Sequence, residues 1–239
     1  MPAAKENEGY VPLSEVVYRK LRRAIVRGDL AQGAAVSETE LAKRLEVSKT
    51  PVRHALTRLA QEGLLVSRPH KGAVVTSLTS GDLEEIYCLR GRLEGLAART
   101  AAERLTDEDA KVLPALLDEL QAATAARDGE AVRRGCVKLH KAIWQASQTR
   151  RLPAILMSLQ DYVEMARDTL PEPPSGFEAG LEEHAQVVRA ILARDADAAE
   201  QAMMRHVAHA LDLGRTGAHA GGARQAEAGP GGPKIREEF

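Results

Sequence analysis

The stretch SETELAKRLEVSKTPVRHALTRLAQEG, residues 37–63, predicts two short helices joined by a tight turn. Ser37 and Glu40 have the spacing of a capping box, in which each side chain satisfies a backbone amide of the other residue. Ser48 predicts the start of the second helix, because a serine side chain can accept a hydrogen bond from a first-turn amide. Pro51 is compatible with that start, since first-turn amides have no partner inside the helix.

The segments on either side of this stretch complete a winged helix-turn-helix. Residues 13–27 repeat apolar side chains at helical spacing. Gly63 suits the position just past the end of a helix, where a left-handed conformation is common. Beyond it, LLVSRPHKGAVVTS predicts two short strands around a turn at residues 70–72. We place this DNA-binding motif at residues 13–78, after a flexible N-terminus at residues 1–12.

The second helix of the stretch carries polar side chains suited to reading DNA. A recognition helix enters the major groove with its N-terminal end leading, so base-reading side chains cluster at that end. Ser48, Lys49 and Thr50 lie there, where backbone amides and the helix dipole also favour a phosphate. Arg53 follows one turn after Lys49 and can reach a guanine edge or a phosphate. The alternative interpretation is an ordinary solvated helix with routine charges.

The charge distribution favours a nucleic-acid partner for the first part of the chain only. The 239 residues have a net charge of −1, but residues 1–80 hold 13 Lys and Arg against 8 Asp and Glu, whereas the remainder holds 20 against 26. Aromatic residues make up 3%, which argues against a stacking platform for single-stranded nucleic acid. The two cysteines, and the lack of a signal peptide or membrane-spanning run, predict a cytoplasmic protein with no membrane partner.

Residues 79–213 predict an all-α antiparallel helical bundle. Nearly every periodic segment here has helical spacing, and the breaker PEPPSG interrupts the pattern. The predicted helices span residues 79–104, 106 onward, 129–148, 150–170, 177–194 and 197–213. The Gly-rich remainder, residues 214–239, has no periodicity and is predicted to be disordered. The fold class is therefore mainly α, a winged helix-turn-helix followed by a bundle.

Four potential metal ligands face the interior of this bundle. Cys136 and His140 are four residues apart, so they share one face of a helix with apolar neighbours. His184 and His206 each lie on the apolar stripe of a later helix. Three imidazoles and a thiol are suitable donors for a divalent transition metal. Alternatively, each is a core residue with an ordinary hydrogen-bond partner.

The N-terminal motif resembles a known family. VSETELAKRLEVSKTPVRHALTRLAQEGLLVSRPHKGAVV, residues 36–75, is similar to the DNA-binding domain of GntR-family bacterial transcription regulators. The resemblance implies DNA contacts by Lys49, Thr50 and Arg53 of the recognition helix, Thr39 of the preceding helix, and His70, Lys71 and Gly72 at the wing tip. Lys49 stands where Arg is usual, His54 replaces a usual Glu, and Thr39 replaces a usual Arg. These departures imply an operator that differs from the common half-sites of the family.

The bundle resembles the FCD effector domain of the FadR subfamily over residues 81–213. EHAQVVRAILARDADAAEQAMMRHV carries the subfamily's Glu-His…His wording. The resemblance implies that His140, His184 and His206 hold an ion whose coordination a small carboxylate effector completes. Cys136 stands where the family has Asp. Arg90 would face the pocket as a partner for the effector carboxylate, or would form a surface salt bridge with Glu94 four residues later.

Cys136 bears on the identity of the metal. A thiolate is a softer ligand than a carboxylate and favours zinc, although nickel and manganese remain alternatives. Thiolate and three imidazoles would fill a tetrahedral site and leave no position for an effector. We interpret the site as three histidines with Cys136 as an optional fourth ligand. A buried thiol that makes no bond to the metal is the other possibility.

These patterns predict a ligand-responsive regulator that binds double-stranded operator DNA as a homodimer, as a repressor or an activator. Its helical domain would sense a small organic acid at the metal. A metal or redox sensor without an organic effector is an alternative. An enzyme with Cys136 as nucleophile and His140 as base fits less well, because neither a helix N-terminus nor a glycine-rich turn presents the thiol.

Overall fold

The computed structural model describes residues 11–68, 72–166 and 176–225. These residues divide into two compact units, one that ends at Leu78 and one that begins at Thr79.

The first unit is a winged helix-turn-helix, which confirms this part of the predicted fold class. Its elements are α1 (Leu13–Val26), β1 (Ala35–Val36), α2 (Glu38–Arg44), α3 (Lys49–Gln61), β2 (Leu65–Arg68) and β3 (Gly72–Val75). The strands form an antiparallel sheet in the order β1-β3-β2. Its core joins the helices through buried side chains: Leu21, Ile25, Val52, Ala55, Leu59 and Leu64.

Local signals set the ends of the first unit's helices. The Ser37 side chain accepts a hydrogen bond from the Glu40 amide (3.5 Å) at the start of α2. Ser48 precedes α3 as predicted, but its side chain makes no capping hydrogen bond. Gly63 follows α3 with a φ of 78°, which glycine adopts without a steric penalty.

The wing contains a strand that the sequence pattern did not predict. The two-residue β1 pairs with β3, with Ala35 opposite Val74 and Val36 opposite Ala73. Gly72, at the start of β3, has a φ of 79°, and a Cβ there would lie 2.6 Å from the carbonyl oxygen of Val36. The close approach of β1 therefore requires glycine at the first residue of β3.

The second unit is an all-α bundle, as predicted. Its helices in the described residues are α4 (Ser80–Arg104), α5 (Asp109–Ala125), α6 (Gly129–Ala146), α7 (Leu152–Met165), α8 (Gly176–Leu192) and α9 (Ala196–Gln225). Helix α4 packs against α6, α7, α8 and α9, while α5 packs against α6 and α8. The core is filled by large side chains from four of them: Leu113, Leu120, Leu139, Ile143, Val187, Ile191 and Met203.

Small side chains bring α4 and α9 close together. Ala98, Ala101 and Ala102 on α4 are fully buried in the cluster that contains the α9 side chains. A Cβ on Gly95 would lie 2.8 Å from the Cγ of Met204 and 3.3 Å from the backbone oxygen of Glu200. Bulkier residues would separate the two helices.

The prediction that the last helix ends near residue 213 is wrong. Helix α9 continues to Gln225, through a segment that the sequence pattern assigned to a disordered tail. Extending an existing helix costs far less free energy than nucleating one. The packed turns before residue 214 therefore allow the helix to continue, although the following turns contain glycine as well as alanine. Residues 226–239 lie outside the described residues, as do the breaker residues 171–175. Among the described helices, none combines the length and apolar character needed to cross a membrane.

Candidate functional site

Three buried histidines converge at the centre of the bundle. His140 on α6, His184 on α8 and His206 on α9 are each under 9% exposed. The Nε2 atom of His140 lies 3.0 Å from Nε2 of His184 and 3.3 Å from Nε2 of His206. The sequence placed these three residues on inward-facing stripes, and the fold brings them together.

The other ring nitrogens of these histidines are all held by oxygen acceptors. Nδ1 of His140 contacts the Glu94 carboxylate, Nδ1 of His184 donates to the carbonyl oxygen of Gly180 (2.6 Å), and Nδ1 of His206 donates to Glu183 (2.9 Å). Carboxylate and carbonyl oxygens only accept hydrogen bonds, so each Nδ1 carries the proton. The three Nε2 lone pairs are therefore directed into one small volume.

This arrangement fits a divalent metal ion. Zinc bonds to imidazole nitrogen are about 2.0–2.1 Å long, so tetrahedral nitrogen ligands lie about 3.3–3.4 Å apart. Burial and the neighbouring rings hold the pKa of His184 well below its usual value, and burial lowers the pKa of His206 although Glu183 acts in the opposite direction. Both imidazoles are thus neutral near pH 7, which is the form that binds metals.

Glu94 organises one side of the histidine cluster. Its fully buried carboxylate accepts from Arg90 (2.7 Å) at one oxygen, while the other contacts His140 and accepts from Nε1 of Trp144 (3.1 Å). Burial opposes the charge, but Arg90 and His140 hold the pKa of Glu94 below its usual range. The sequence left two alternatives for Arg90, a partner for the effector carboxylate or a surface salt bridge with Glu94. The salt bridge is present, but it is buried. Sequence reasoning missed the contact between Glu94 and His140.

A cavity of about 370 Å³ opens beside the three histidines. Its wall is mostly apolar, with Val132 and Phe177 among its residues, and the charged side chains of Arg90, Arg133 and Glu164 also line it. The cavity is therefore a mainly apolar chamber whose wall also holds two guanidinium groups, a carboxylate and three imidazoles.

Cys136 lines the same cavity one helical turn before His140. It is half-buried, and its sulfur is not among the three donor atoms that lie within 4.8 Å of one another. The group of potential metal ligands in the described residues thus consists of the histidines alone.

A second acidic residue that sequence reasoning missed supports the cluster from α8. Glu183 binds Nδ1 of His206 through one oxygen and Nδ1 of His209 through the other. It adjoins His184 in sequence, but its partners lie on α9. Only the packing of α8 against α9 reveals this role.

The predicted DNA-contacting residues of the first unit lie on an exposed surface. Thr39, Ser48, Lys49, Thr50 and Arg53 are all exposed, and Thr39, Arg53 and Gly72 line one groove. Nε and Nη2 of Arg53 donate to the two carboxylate oxygens of Glu38 at 2.7 and 3.0 Å, a contact that the sequence did not predict. His70 and Lys71 lie outside the described residues.

Each of the two units matches a known protein family. Residues 13–75 match the family model of gntR-family bacterial regulatory proteins, and residues 85–209 match the FCD domain. The chain is 30% identical to the HTH-type transcriptional regulator YdhC of Bacillus subtilis (strain 168), over 80% of this chain and 86% of YdhC. It is 29% identical to the HTH-type transcriptional repressor RspR of Escherichia coli (strain K12), over 82% of this chain and 86% of RspR.

Among solved structures, E. coli McbR/YncC superposes with a TM-score of 0.73 and 26% identity, over 87% of this chain and 99% of that chain. The matched families and the relatives are transcriptional regulators, so the enzyme alternative on Cys136 and His140 is not supported. The chain belongs to the GntR family, with a C-terminal FCD domain, and is a DNA-binding transcriptional regulator.

Proposed function

We propose that the protein is a homodimeric repressor whose helical unit senses a small organic acid at a divalent metal. The observation that carries the sensing half is the convergence of three Nε2 lone pairs whose Nδ1 partners are all acceptors. Such a cluster is stabilised by a cation at its centre. The relative RspR is named a transcriptional repressor, which supports repression as the sign of regulation.

His140, His184 and His206 would hold the metal, and zinc suits three imidazole ligands best. The bound ion would act as a Lewis acid that attracts a carboxylate. Glu94 and Glu183 would fix the orientation of two of the imidazoles, because each accepts from an Nδ1 atom. Cys136 would serve as a fourth ligand only if its side chain moved towards the histidines, because its sulfur lies outside the group of converging donor atoms.

The effector would occupy the cavity beside the histidines. Its volume of about 370 Å³ lies in the range of small-molecule sites. Arg90 can offer a donor that Glu94 does not use, which favours an anion in this chamber. Effector binding would repack the bundle and change the DNA affinity, and this coupling must be reciprocal.

Lys49, Thr50 and Arg53 of the recognition helix would read the operator, with Thr39, Ser48 and the wing contacting it nearby. Arg53→Ala should weaken binding to the operator by about five-fold to more than a hundred-fold, because a bidentate guanine contact is worth about 1–3 kcal/mol. The measurement is a titration of the full chain, at fixed salt, with a duplex that the wild type selects from a random pool.

Arg58→Gln is the control for this prediction. It removes the same charge from the same helix, but Arg58 lies in the last turn of α3, where it contacts Glu15 and Glu62, and not at the N-terminal end that carries the proposed base readers. Equal losses in Arg53→Ala and Arg58→Gln would mean that only total charge matters, and the assignment of Arg53 would fail.

The homodimer would form through α4 and α7, which pack on each other around Trp144 and Leu156. Their outer surfaces expose Leu89, Leu96 and Ile155, each 45–48% accessible. Exposed apolar side chains on adjacent helices are typical of subunit contacts.

Leu89→Arg combined with Leu96→Arg should convert a dimer into a monomer, as measured by sedimentation. Operator affinity should fall at least ten-fold, because the two half-sites would no longer be bound by one linked particle. Val112→Arg on α5, which is also an exposed apolar position, should leave the mass unchanged. A double variant that still sediments as a dimer would place the interface elsewhere.

A further inference from the structure

The guanidinium of Arg53 is held in a fixed orientation by a residue of the preceding helix. Glu38 begins α2, and its two oxygens accept from Nε and Nη2 of Arg53 on α3. The Arg53 side chain is 64% exposed and that of Glu38 is 29% exposed. An exposed ion pair contributes little to folding, so the consequence of this one is geometric. It removes the rotational freedom of a long side chain on the DNA-facing surface.

The bidentate contact uses one particular edge of the guanidinium. Arginine has five N–H donors, arranged along a side edge (Nε and one Nη) and an end edge (both Nη atoms). Glu38 occupies the side edge, which leaves the end edge with a forked pair of donors. A forked pair matches O6 and N7 of guanine.

We propose that Glu38 is a positioning residue that sets DNA specificity by directing the end edge of Arg53 at a guanine. The proposal rests on the proposed role of Arg53 as a base reader. Glu38 remains paired with Arg53 in the complex, so the arginine reaches the base without losing rotamer freedom on binding. The carboxylate also repels phosphates, which lowers the affinity for duplexes that offer no matching guanine.

A positioning role of Glu38 and simple repulsion between its carboxylate and DNA predict different effects of removing this residue. Arg53 holds the pKa of Glu38 below its usual value, so the residue is anionic at neutral pH. Removing an anion from a DNA-binding surface should raise the affinity for any duplex. If Glu38 positions Arg53, its removal should instead lower the affinity for the operator. The two explanations therefore predict opposite signs.

Glu38→Gln in the full chain tests the proposal. Titrations at one salt concentration would use the duplex selected by the wild type and a scrambled duplex of the same composition. We expect operator affinity to fall about ten-fold and scrambled-duplex affinity to stay equal or rise, so that the specificity ratio falls. Glu40→Gln is the matched control, since it removes the same charge from the same first turn of α2 and should leave the ratio unchanged.

The same substitution in an Arg53→Ala background completes the test. There, Glu38→Gln should change the affinities for the operator and the scrambled duplex by the same factor, because no arginine remains to be positioned. A loss that persists in this background would mean that Glu38 contacts DNA itself, and equal gains for both duplexes in the single variant would mean that it only repels. Either result would overturn the positioning role of Glu38 but leave the proposed role of Arg53 intact. An unchanged operator affinity in Arg53→Ala would overturn the base-reading assignment as well.

Discussion

Glu94→Leu should lower the free energy of unfolding by about 3–5 kcal/mol, the usual cost of leaving one partner of a buried ion pair alone. The substitution would strand Arg90 in the interior and remove the acceptor for Nε1 of Trp144 and for Nδ1 of His140. Urea denaturation of the metal-free protein measures this loss without a contribution from ligand binding.

Two further variants make the Glu94 prediction specific. Glu103→Leu removes an acid of the same helix that is 48% exposed and pairs with Arg99, so it should have a much smaller effect. Arg90→Met combined with Glu94→Leu should recover part of the loss, because no unpaired charge remains buried. If Glu94→Leu were as stable as the wild type, the buried carboxylate could not be the centre of this network.

The winged unit could be predicted from sequence because its signals are local. Ser37, Ser48 and Gly63 mark helix ends within a few residues of themselves, and each lies where the pattern indicated. Strand β1 escaped prediction because two residues carry no periodicity. Its strand character comes from pairing with β3, where Ala35 lies opposite Val74 far along the chain.

The three histidines could be predicted because each lies on an apolar stripe of its own helix. Their partners could not. Glu94 and His140 are 46 residues apart, and an Arg and a Glu four residues apart are typical of a solvated helix surface. Burial of that pair follows from the packing of α4 against α6 and α9, which no local pattern encodes. Glu183 was missed for the same reason.

The length of α9 marks another limit of pattern reasoning. The glycines of residues 214–239 are poor helix formers, so this segment would form little helix in isolation. The packed turns before them supply the nucleus, so the helix continues to Gln225. A context-dependent element of this kind needs the tertiary structure to be placed.

His184→Ala should abolish stoichiometric zinc binding. The substitution removes one of three converging Nε2 donors, and two imidazoles alone hold zinc much more weakly. The metal content of protein reconstituted with zinc and then dialysed measures the effect. Thermal unfolding with and without a chelator gives a second measure, because a metal that binds only the native state stabilises it by mass action.

The pH dependence of the metal-free protein follows from the same residues. The pKa values of His184 and His206 are lowered in the folded state, so below about pH 6.5 the unfolded chain binds more protons than the folded one. Stability should therefore fall as the pH drops from 7 towards 5. Zinc should be lost over the same interval, since protons compete for the Nε2 atoms.

His209→Ala is the matched control for the metal prediction. His209 also binds Glu183, but its side chain is 39% exposed and it lies outside the group of three converging donors. It should retain zinc. Cys136→Ser then separates the two ligand sets: zinc should remain if three histidines suffice, and should weaken with a shift towards harder metals if the thiolate is a ligand. Full zinc content in both His184→Ala and His206→Ala would exclude the metal site, because neither remaining pair of imidazoles could account for it.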